Sequence, residues 1–261
     1  MTPEFDLVNN VFGWGDPGAS HERGIWFVGI EEFDGLNTVE QVREFFNDKQ
    51  ISNNFVVEEM KPPDQRFQGS TGGVANYTSK IVCMFSPEVQ RTFPEPLGTN
   101  PLPWQQEKIW KHYRDRLLWY PGTGVCNANL FPLGKKKVTE SLPEVYEKLY
   151  GFGPKSMEQY RQHVRNTRFP KIRERWEQCR PQATICYVGD SRREEVEKLF
   201  WHRPAEKHIT PVWEKLAQDV EVLCNTDRRI LITPHFTFRM SDPTAKLIVE
   251  QLKAWDVKLP K

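Results

Sequence analysis

Residues 124–137 read Gly-Val-Cys-Asn-Ala-Asn-Leu-Phe-Pro-Leu-Gly-Lys-Lys-Lys, and this stretch decides the predicted fold. Its apolar beginning predicts a strand over 124–130 that is buried on both faces, which is typical of parallel sheets. Asn129 stands at the end of that strand, and a proline, a glycine and three lysines come soon after it. The strand therefore carries a polar amide to one edge of a sheet, beside a short basic run.

Three other apolar runs predict strands of the same kind, at residues 25–29, 183–189 and 229–233. Between the strands, the spacing of apolar residues predicts helices over 39–47, 76–85, 104–119, 191–200 and 243–254. Strands that alternate with helices indicate a parallel sheet covered on both faces. We therefore predict an α/β fold, with a three-layer αβα architecture and a central, mainly parallel four-stranded sheet. A single domain is expected over 1–261, with an irregular N-terminal arm at 1–23.

The composition argues against several classes of protein. The 261 residues have a formal net charge of +1, so only a local basic face could attract nucleic acid. The five cysteines include no Cys-x-x-Cys pair, which argues against a zinc ribbon, an iron–sulfur cluster and a secreted disulfide scaffold. We expect reduced, buried thiols. The N-terminus is unlike a signal peptide and no apolar run could span a bilayer, so we expect an intracellular protein, cytoplasmic or nucleoid-associated.

Polar side chains follow three of the predicted strands. Glu31 follows the first strand, Asn129 ends the second, and His235 follows the last. In open parallel sheets, ligands bind outside the carboxyl ends of the strands. We therefore expect these three residues to converge on one pocket. An asparagine amide offers an acceptor and a donor, so it can pair with the imide edge of a nucleobase. Asn127 lies on the same face of the strand, and the sequence leaves open which of the two amides enters the pocket.

Four short segments at the strand ends carry a resemblance; they are residues 28–32, 129–133, 185–189 and 235–239. In this order they resemble the motifs of the uracil-DNA glycosylase superfamily, nearest its single-strand-selective monofunctional branch. That branch has an Asn-x-x-Pro-Leu segment, which Asn129, Pro132 and Leu133 match. It also has a segment of the type His-Pro-Ser-Pro-Arg, of which His235 and Arg239 match the ends. The first segment of this chain, residues 28–32, lacks the family's proline. In the last segment, Phe236 and Thr237 stand where the family has Pro-Ser.

The resemblance implies a monofunctional DNA glycosylase that hydrolyses the N-glycosidic bond of uracil, or of a modified or damaged base, flipped out of DNA. Glu31 would stabilise the cationic sugar and orient the attacking water. His235 would donate a hydrogen bond to the base oxygen as negative charge builds there. Asn129 would read the base. Phe33 is expected to stack on it, with other aromatic candidates at Phe67, Tyr77 and Phe85. No metal or redox cofactor is implied.

The resemblance also implies contacts with DNA. Three lysines directly behind the Asn129 segment would attract phosphates; they are Lys135, Lys136 and Lys137. Arg239 would fill the gap left by the flipped base or contact a phosphate. Phe236 could stack on a base or pack inward. We expect single- or double-stranded DNA as the partner, no association with a membrane, and a monomeric chain.

Two other functions are compatible with the sequence. The altered motifs could mark lost chemistry, which would leave a non-catalytic nucleic-acid or nucleotide-binding protein of the same fold. Such a protein would bind in a salt-dependent manner without releasing a base. An α/β hydrolase that acts on free nucleosides would instead process monomers and have little affinity for DNA.

Overall fold

The computed structural model describes residues 3–17, 24–31, 36–47, 49–52, 54–57, 70–86, 89, 103–132, 144–151, 157–202, 209–237 and 239–259. The strands in these ranges are β1 Gly13–Gly15, β2 Ile25–Glu31, β3 Gln50–Ser52, β4 Phe55–Val57, β5 Val125–Phe131, β6 Ala183–Cys186, β7 Glu214–Ala217, β8 Val220–Asn225 and β9 Ile230–Ile232. The helices are α1 Pro3–Asn10, α2 Val39–Asn47, α3 Ser70–Phe85, α4 Pro103–Arg116, α5 Glu144–Tyr150, α6 Met157–Thr167, α7 Phe169–Cys179, α8 Arg193–Phe200 and α9 Asp242–Ala254.

The strands form one mixed sheet in the order β3-β4-β1-β5-β2-β6-β9-β8-β7. Strands β5, β2, β6 and β9 are parallel to their neighbours within this group. The α/β class is confirmed, but the predicted mainly parallel sheet of four strands was too small. Among the described residues the sheet has nine strands, and antiparallel pairings are as frequent as parallel ones. Strands β1, β3 and β4 have only three residues each, too few for a periodic pattern to appear.

The side chains of β2 alternate between two hydrophobic clusters, because successive residues of a strand point to opposite faces of the sheet. Trp26 and Val28 belong to one cluster, which also holds apolar residues of α1, α2, α5, α6, α7 and α8. Ile25 and Phe27 belong to the other cluster, which holds apolar residues of α3, α4 and α9. Burial on both faces explains why β2 reads as a continuous apolar run.

The N-terminal residues do not form the predicted irregular arm. Of residues 1–23 the structure describes 3–17, and these contain helix α1 and strand β1, which pairs antiparallel with β5. A Cβ at Gly13 would overlap the backbone of Asn127, so the close approach of the two strands requires glycine there. The glycines that make this segment look irregular are therefore the residues that allow it to pair.

All five cysteines are buried and free, as the sequence predicts. Burial raises the pKa of the Cys126 and Cys186 thiols well above the ordinary value, so both are held in the protonated form. In the described part of the chain, no helix combines the length and the apolar character needed to cross a bilayer.

Candidate functional site

The carboxyl ends of β2 and β5 lie side by side. The two strands are parallel, with Gly29 opposite Asn129 and Glu31 opposite Phe131. Asn127 and Asn129 are two positions apart on β5, so their side chains lie on the same face of the sheet. Both are buried, with exposed fractions of 5% and 4%. Burial of an amide costs free energy unless the amide is hydrogen-bonded, so each of these two amides needs a polar partner close by.

Tyr187, which follows β6, meets both asparagines. Its hydroxyl donates a hydrogen bond of 2.6 Å to Oδ1 of Asn127. The Tyr187 hydroxyl and the Asn129 Oδ1 also lie so close to the α-carbon of Gly29 that a Cβ there would overlap each of them. No role for Tyr187 is predicted from the sequence. A signal was present, because a tyrosine inside an apolar strand end usually has a partner for its hydroxyl.

Gly29→Ala is expected to disrupt this contact. The added methyl group would collide with Oδ1 of Asn129 and with the hydroxyl oxygen of Tyr187, so the strand or the two side chains must shift. Overpacking of this kind lowers the unfolding free energy by about 1–3 kcal/mol. Chemical denaturation of the variant and the wild type measures the loss. Gly122→Ala gives the contrast: nothing lies within 4 Å of a Cβ there, but φ is +84°, so its loss of stability measures backbone strain without overpacking. Gly29→Ala with wild-type stability would contradict the packing described here.

His235 lies at the same edge of the sheet. The centroid of its ring is 5.8 Å from that of Tyr187. Its Nδ1 accepts a hydrogen bond of 3.3 Å from the backbone N–H of Thr237. A ring nitrogen that accepts a hydrogen bond carries no proton, so the neutral imidazole bears its proton on Nε2. Burial lowers the pKa of His235 below the ordinary value, which favours this neutral form.

The lowered pKa of His235 predicts a loss of stability in acid. The unfolded chain, with an ordinary histidine pKa of 6.5, takes up the proton more readily than the folded protein does. Stability is therefore fully present above that pH and falls as the pH drops from 6.5 towards the lower folded pKa. Burial also lowers the pKa of His112 and His163, so the three histidines share the effect.

Denaturation of the wild type and of His235→Gln at pH 7 and at pH 5 measures how much His235 contributes to the loss of stability in acid. We expect the fall in unfolding free energy between these two pH values to be smaller in the variant, because glutamine does not titrate. An equal fall in both proteins would refute the inferred direction of the pKa shift.

The backbone of Asn129 is held by the N-terminal part of the chain. Its N–H donates to the carbonyl of Phe12 at 2.8 Å, and its carbonyl accepts from Nη2 of Arg168 at 3.1 Å. Arg168 is completely buried, and its Nη1 donates to the carbonyls of Val8 and Val11 at 2.8 and 2.9 Å. One guanidinium group thus joins the last turn of α1 and the residue after the helix to the residue that carries the candidate base-reading amide.

Phe236 packs inward. Its ring stacks on Tyr187, with centroids 4.7 Å apart and an interplanar angle of 26°. It also contacts the rings of Phe27 and Tyr77, at 6.1 and 6.0 Å. The sequence left open whether Phe236 stacks on a base or packs inward, and in the structure it packs inward. The phenol ring of Tyr187 is thereby packed against the ring of Phe236.

The other predicted site residues lie on the surface or outside the described part of the structure. The side chain of Arg239 is 75% exposed, and a guanidinium nitrogen lies 4.0 Å from a carboxylate oxygen of Glu221. This surface position suits contact with a phosphate. Glu31 ends β2, but its side chain is not among those described. The predicted stacking residue and the basic run also lie outside the described residues: Phe33, Lys135, Lys136 and Lys137.

Comparison of the chain with models of protein families, with curated proteins and with solved structures found no match. The strand-end cluster consists of the side chains of Asn127, Asn129, Tyr187 and His235. It offers two buried amides, a phenol and a neutral imidazole. The amides can hydrogen-bond a planar ligand that carries both donors and acceptors. The Nε2–H of the imidazole can donate to an oxygen that gains negative charge during a reaction.

Proposed function

We propose that the protein is a monofunctional DNA glycosylase that hydrolyses the N-glycosidic bond of uracil, or of a modified or damaged base, flipped out of DNA. The observation that carries this proposal is the strand-end cluster. Asn129 and Tyr187 both lie against Gly29, and the ring of Tyr187 contacts that of His235, so residues from the ends of four strands, β5, β6, β2 and β9, meet at one edge of the sheet. This convergence is what a pocket for an extruded base requires.

The strand arrangement supports the same proposal. The parallel strands β5, β2, β6 and β9 are adjacent, and each of the two hydrophobic clusters contains helices. We infer from this a three-layer αβα core resembling that of the uracil-DNA glycosylase superfamily, with further strands added on both sides. The ligand would then bind outside the carboxyl ends of the parallel strands.

The proposed reaction assigns a different task to each group. Water attacks the sugar carbon while the bond to the base breaks, and the electron pair of that bond leaves with the base. Glu31 orients the water and accepts its proton. The Nε2–H of His235 donates to the base oxygen on which negative charge grows. Asn129 pairs with the polar edge of the base, and Phe33 stacks on its face. Water is the nucleophile, and we expect no cofactor.

The DNA backbone is proposed to contact the rim of the site. Lys135, Lys136 and Lys137 follow the Asn129 segment directly, and Arg239 is an exposed cation close behind His235 in the chain. Such residues position DNA through its phosphates without reading sequence. The protein would act as a monomer on single- or double-stranded DNA.

The proposal is tested with single- and double-stranded oligonucleotides that carry a panel of bases, among them uracil, thymine, cytosine and their 5-hydroxymethyl derivatives. Release of at least one base is expected, detected as strand cleavage only after alkali treatment, because a monofunctional enzyme leaves an intact abasic strand. Salt-dependent binding without release from any substrate would contradict the proposal and favour the non-catalytic alternative. Release from free nucleosides alone would favour a nucleoside hydrolase.

A further inference from the structure

We propose that Gly73 and Tyr77, on one face of helix α3, are positioning residues that hold His235 in its place at the strand-end cluster. The inference rests on the proposed function and adds to it two residues that act on the reaction through His235.

His235 lies on the connection between β9, which ends at Ile232, and α9, which begins at Asp242. We call residues 233–241 the β9–α9 segment. What such a connection packs against decides where its side chains lie, and a site on a loop is less precise than one on a helix or strand. A donor that stabilises a transition state must still be placed in advance, because a misplacement of about 1 Å can slow a reaction roughly 100-fold.

Two residues of α3 contact this segment directly. Gly73 and Tyr77 are four residues apart, so they lie on the same face of the helix. A Cβ on Gly73 would lie 3.0 Å from Oγ1 and 3.2 Å from Cα of Thr237, so the helix and the segment are closely packed. The hydroxyl of Tyr77 donates a hydrogen bond of 3.0 Å to the carbonyl of Met240. The helix therefore holds the segment at two separate points.

These contacts reach His235 through its neighbours in the chain. The backbone N–H of Thr237, the residue packed against Gly73, donates to Nδ1 of His235 at 3.3 Å. The backbone N–H of Arg239 donates to the carbonyl of His235 at 3.0 Å. A shift of the segment would therefore move both the imidazole and the backbone of His235.

Aromatic contacts connect Tyr77 to the cluster by a second route. The ring of Tyr77 lies 6.0 Å from that of Phe236, which stacks on Tyr187 at 4.7 Å. The sequence makes Tyr77 a candidate for stacking on the base, but its ring and its hydroxyl both contact the β9–α9 segment. These contacts favour a task in placing that segment.

Gly73→Ala tests the inference without weakening the helix. The melting temperature should not fall, because alanine favours a helix more than glycine does. The added Cβ would push Thr237 away by a few tenths of an ångström, and with it the N–H that His235 accepts from. We expect single-turnover release of the base to slow about tenfold. Release at the wild-type rate would contradict the inference.

Tyr77→Phe removes the hydrogen bond to Met240 and retains the ring. We expect release to slow about fivefold, the usual effect of one lost hydrogen bond between uncharged groups. Tyr113→Phe is the matched control on the neighbouring helix α4. It removes a buried hydroxyl that has no hydrogen-bond partner within the described residues, so it should keep the wild-type rate.

Titration of the imidazole by NMR is a readout that does not depend on activity. Burial lowers the pKa of His235, so this pKa reports how well the ring is shielded from water. In Gly73→Ala and Tyr77→Phe we expect the pKa to rise towards the ordinary value of 6.5, and in Tyr113→Phe to stay at the wild-type value. The spectrum of His235→Gln identifies the signal of His235 among the six histidines.

The outcomes separate this inference from the proposed function. A wild-type protein that releases no base overturns the proposed function, and the titration alone then decides whether α3 holds His235. Equal pKa values of His235 in the wild type, Gly73→Ala and Tyr77→Phe overturn the inference. An active wild type whose release rate is unchanged in both variants, or equally lowered in Tyr113→Phe, also overturns it.

Discussion

Asn129→Ala is expected to slow base release at least about 100-fold, the usual cost of removing a preorganised hydrogen-bond donor from an active site. The amide is 4% exposed at the end of β5 and lies beside Tyr187 over Gly29. Alanine has no group that can pair with the base edge. Single-turnover rates on the best substrate of the wild type measure the effect, and thermal melting shows whether the variant is folded.

Two further variants define the cause of this loss. Asn129→Asp retains the shape of the side chain but replaces the amide donor by a carboxylate oxygen, so it should be at least as slow as the alanine variant. Asn225→Ala removes a similarly buried amide at the end of β8, where its Nδ2 donates to the carbonyl of Val212 at 2.9 Å. It should keep the rate within about twofold, because it lies outside the site. If Asn129→Ala released the base at the wild-type rate, Asn129 would not be the residue that reads the base, and Asn127 would be the remaining candidate.

Arg168→Met is expected to lower the unfolding free energy by about 3–5 kcal/mol, because three buried acceptors lose a charged donor. These acceptors are the carbonyls of Val8, Val11 and Asn129. Methionine needs no hydration, which offsets part of the loss, but it supplies no hydrogen bond to the carbonyls. Guanidinium denaturation, with the slope compared between variant and wild type, measures the change.

A conservative variant and a surface control show whether this loss comes from the buried hydrogen bonds. Arg168→Lys keeps the positive charge but lacks the planar fork that reaches three carbonyls, so its loss should be smaller than that of the methionine variant. Arg193→Met removes a guanidinium group that is 46% exposed and pairs loosely with Asp190 and Glu197, at 3.6 and 3.7 Å. Its cost should stay below about 1 kcal/mol. If Arg168→Met lowered the unfolding free energy by no more than Arg193→Met does, the structural role of Arg168 would be refuted.

The strands buried on both faces could be predicted from the sequence. β2 was predicted over 25–29 and extends over Ile25–Glu31, while β5 was predicted over 124–130 and extends over Val125–Phe131. Burial on two faces selects an apolar side chain at nearly every position, so such a strand is visible in the residues themselves. The short strand β1 could not be recognised, because its pairing depends on close backbone approach at Gly13.

Helix α3 illustrates how tertiary contact changes a local prediction. The glycines within residues 68–73 predict a turn ahead of the helix predicted over 76–85, but the helix begins at Ser70. Gly73 lies against Thr237, with only 3.0 Å between the position of a Cβ and the Thr237 Oγ1. Glycine is tolerated in the helix here because it allows this close contact, which outweighs its low helix propensity. The contact partner lies far away in the chain and leaves no trace in the local pattern.

The sequence by itself determined the α/β class, the buried strands and the polar residues at their ends, because burial and strand length are expressed in neighbouring residues. Only the tertiary structure decided how these ends are joined. The hydrogen bond from Tyr187 to Asn127 connects residues 60 positions apart, and that from Arg168 to Asn129 connects residues 39 apart. Such contacts depend on the order and register of the strands, which local periodicity does not encode.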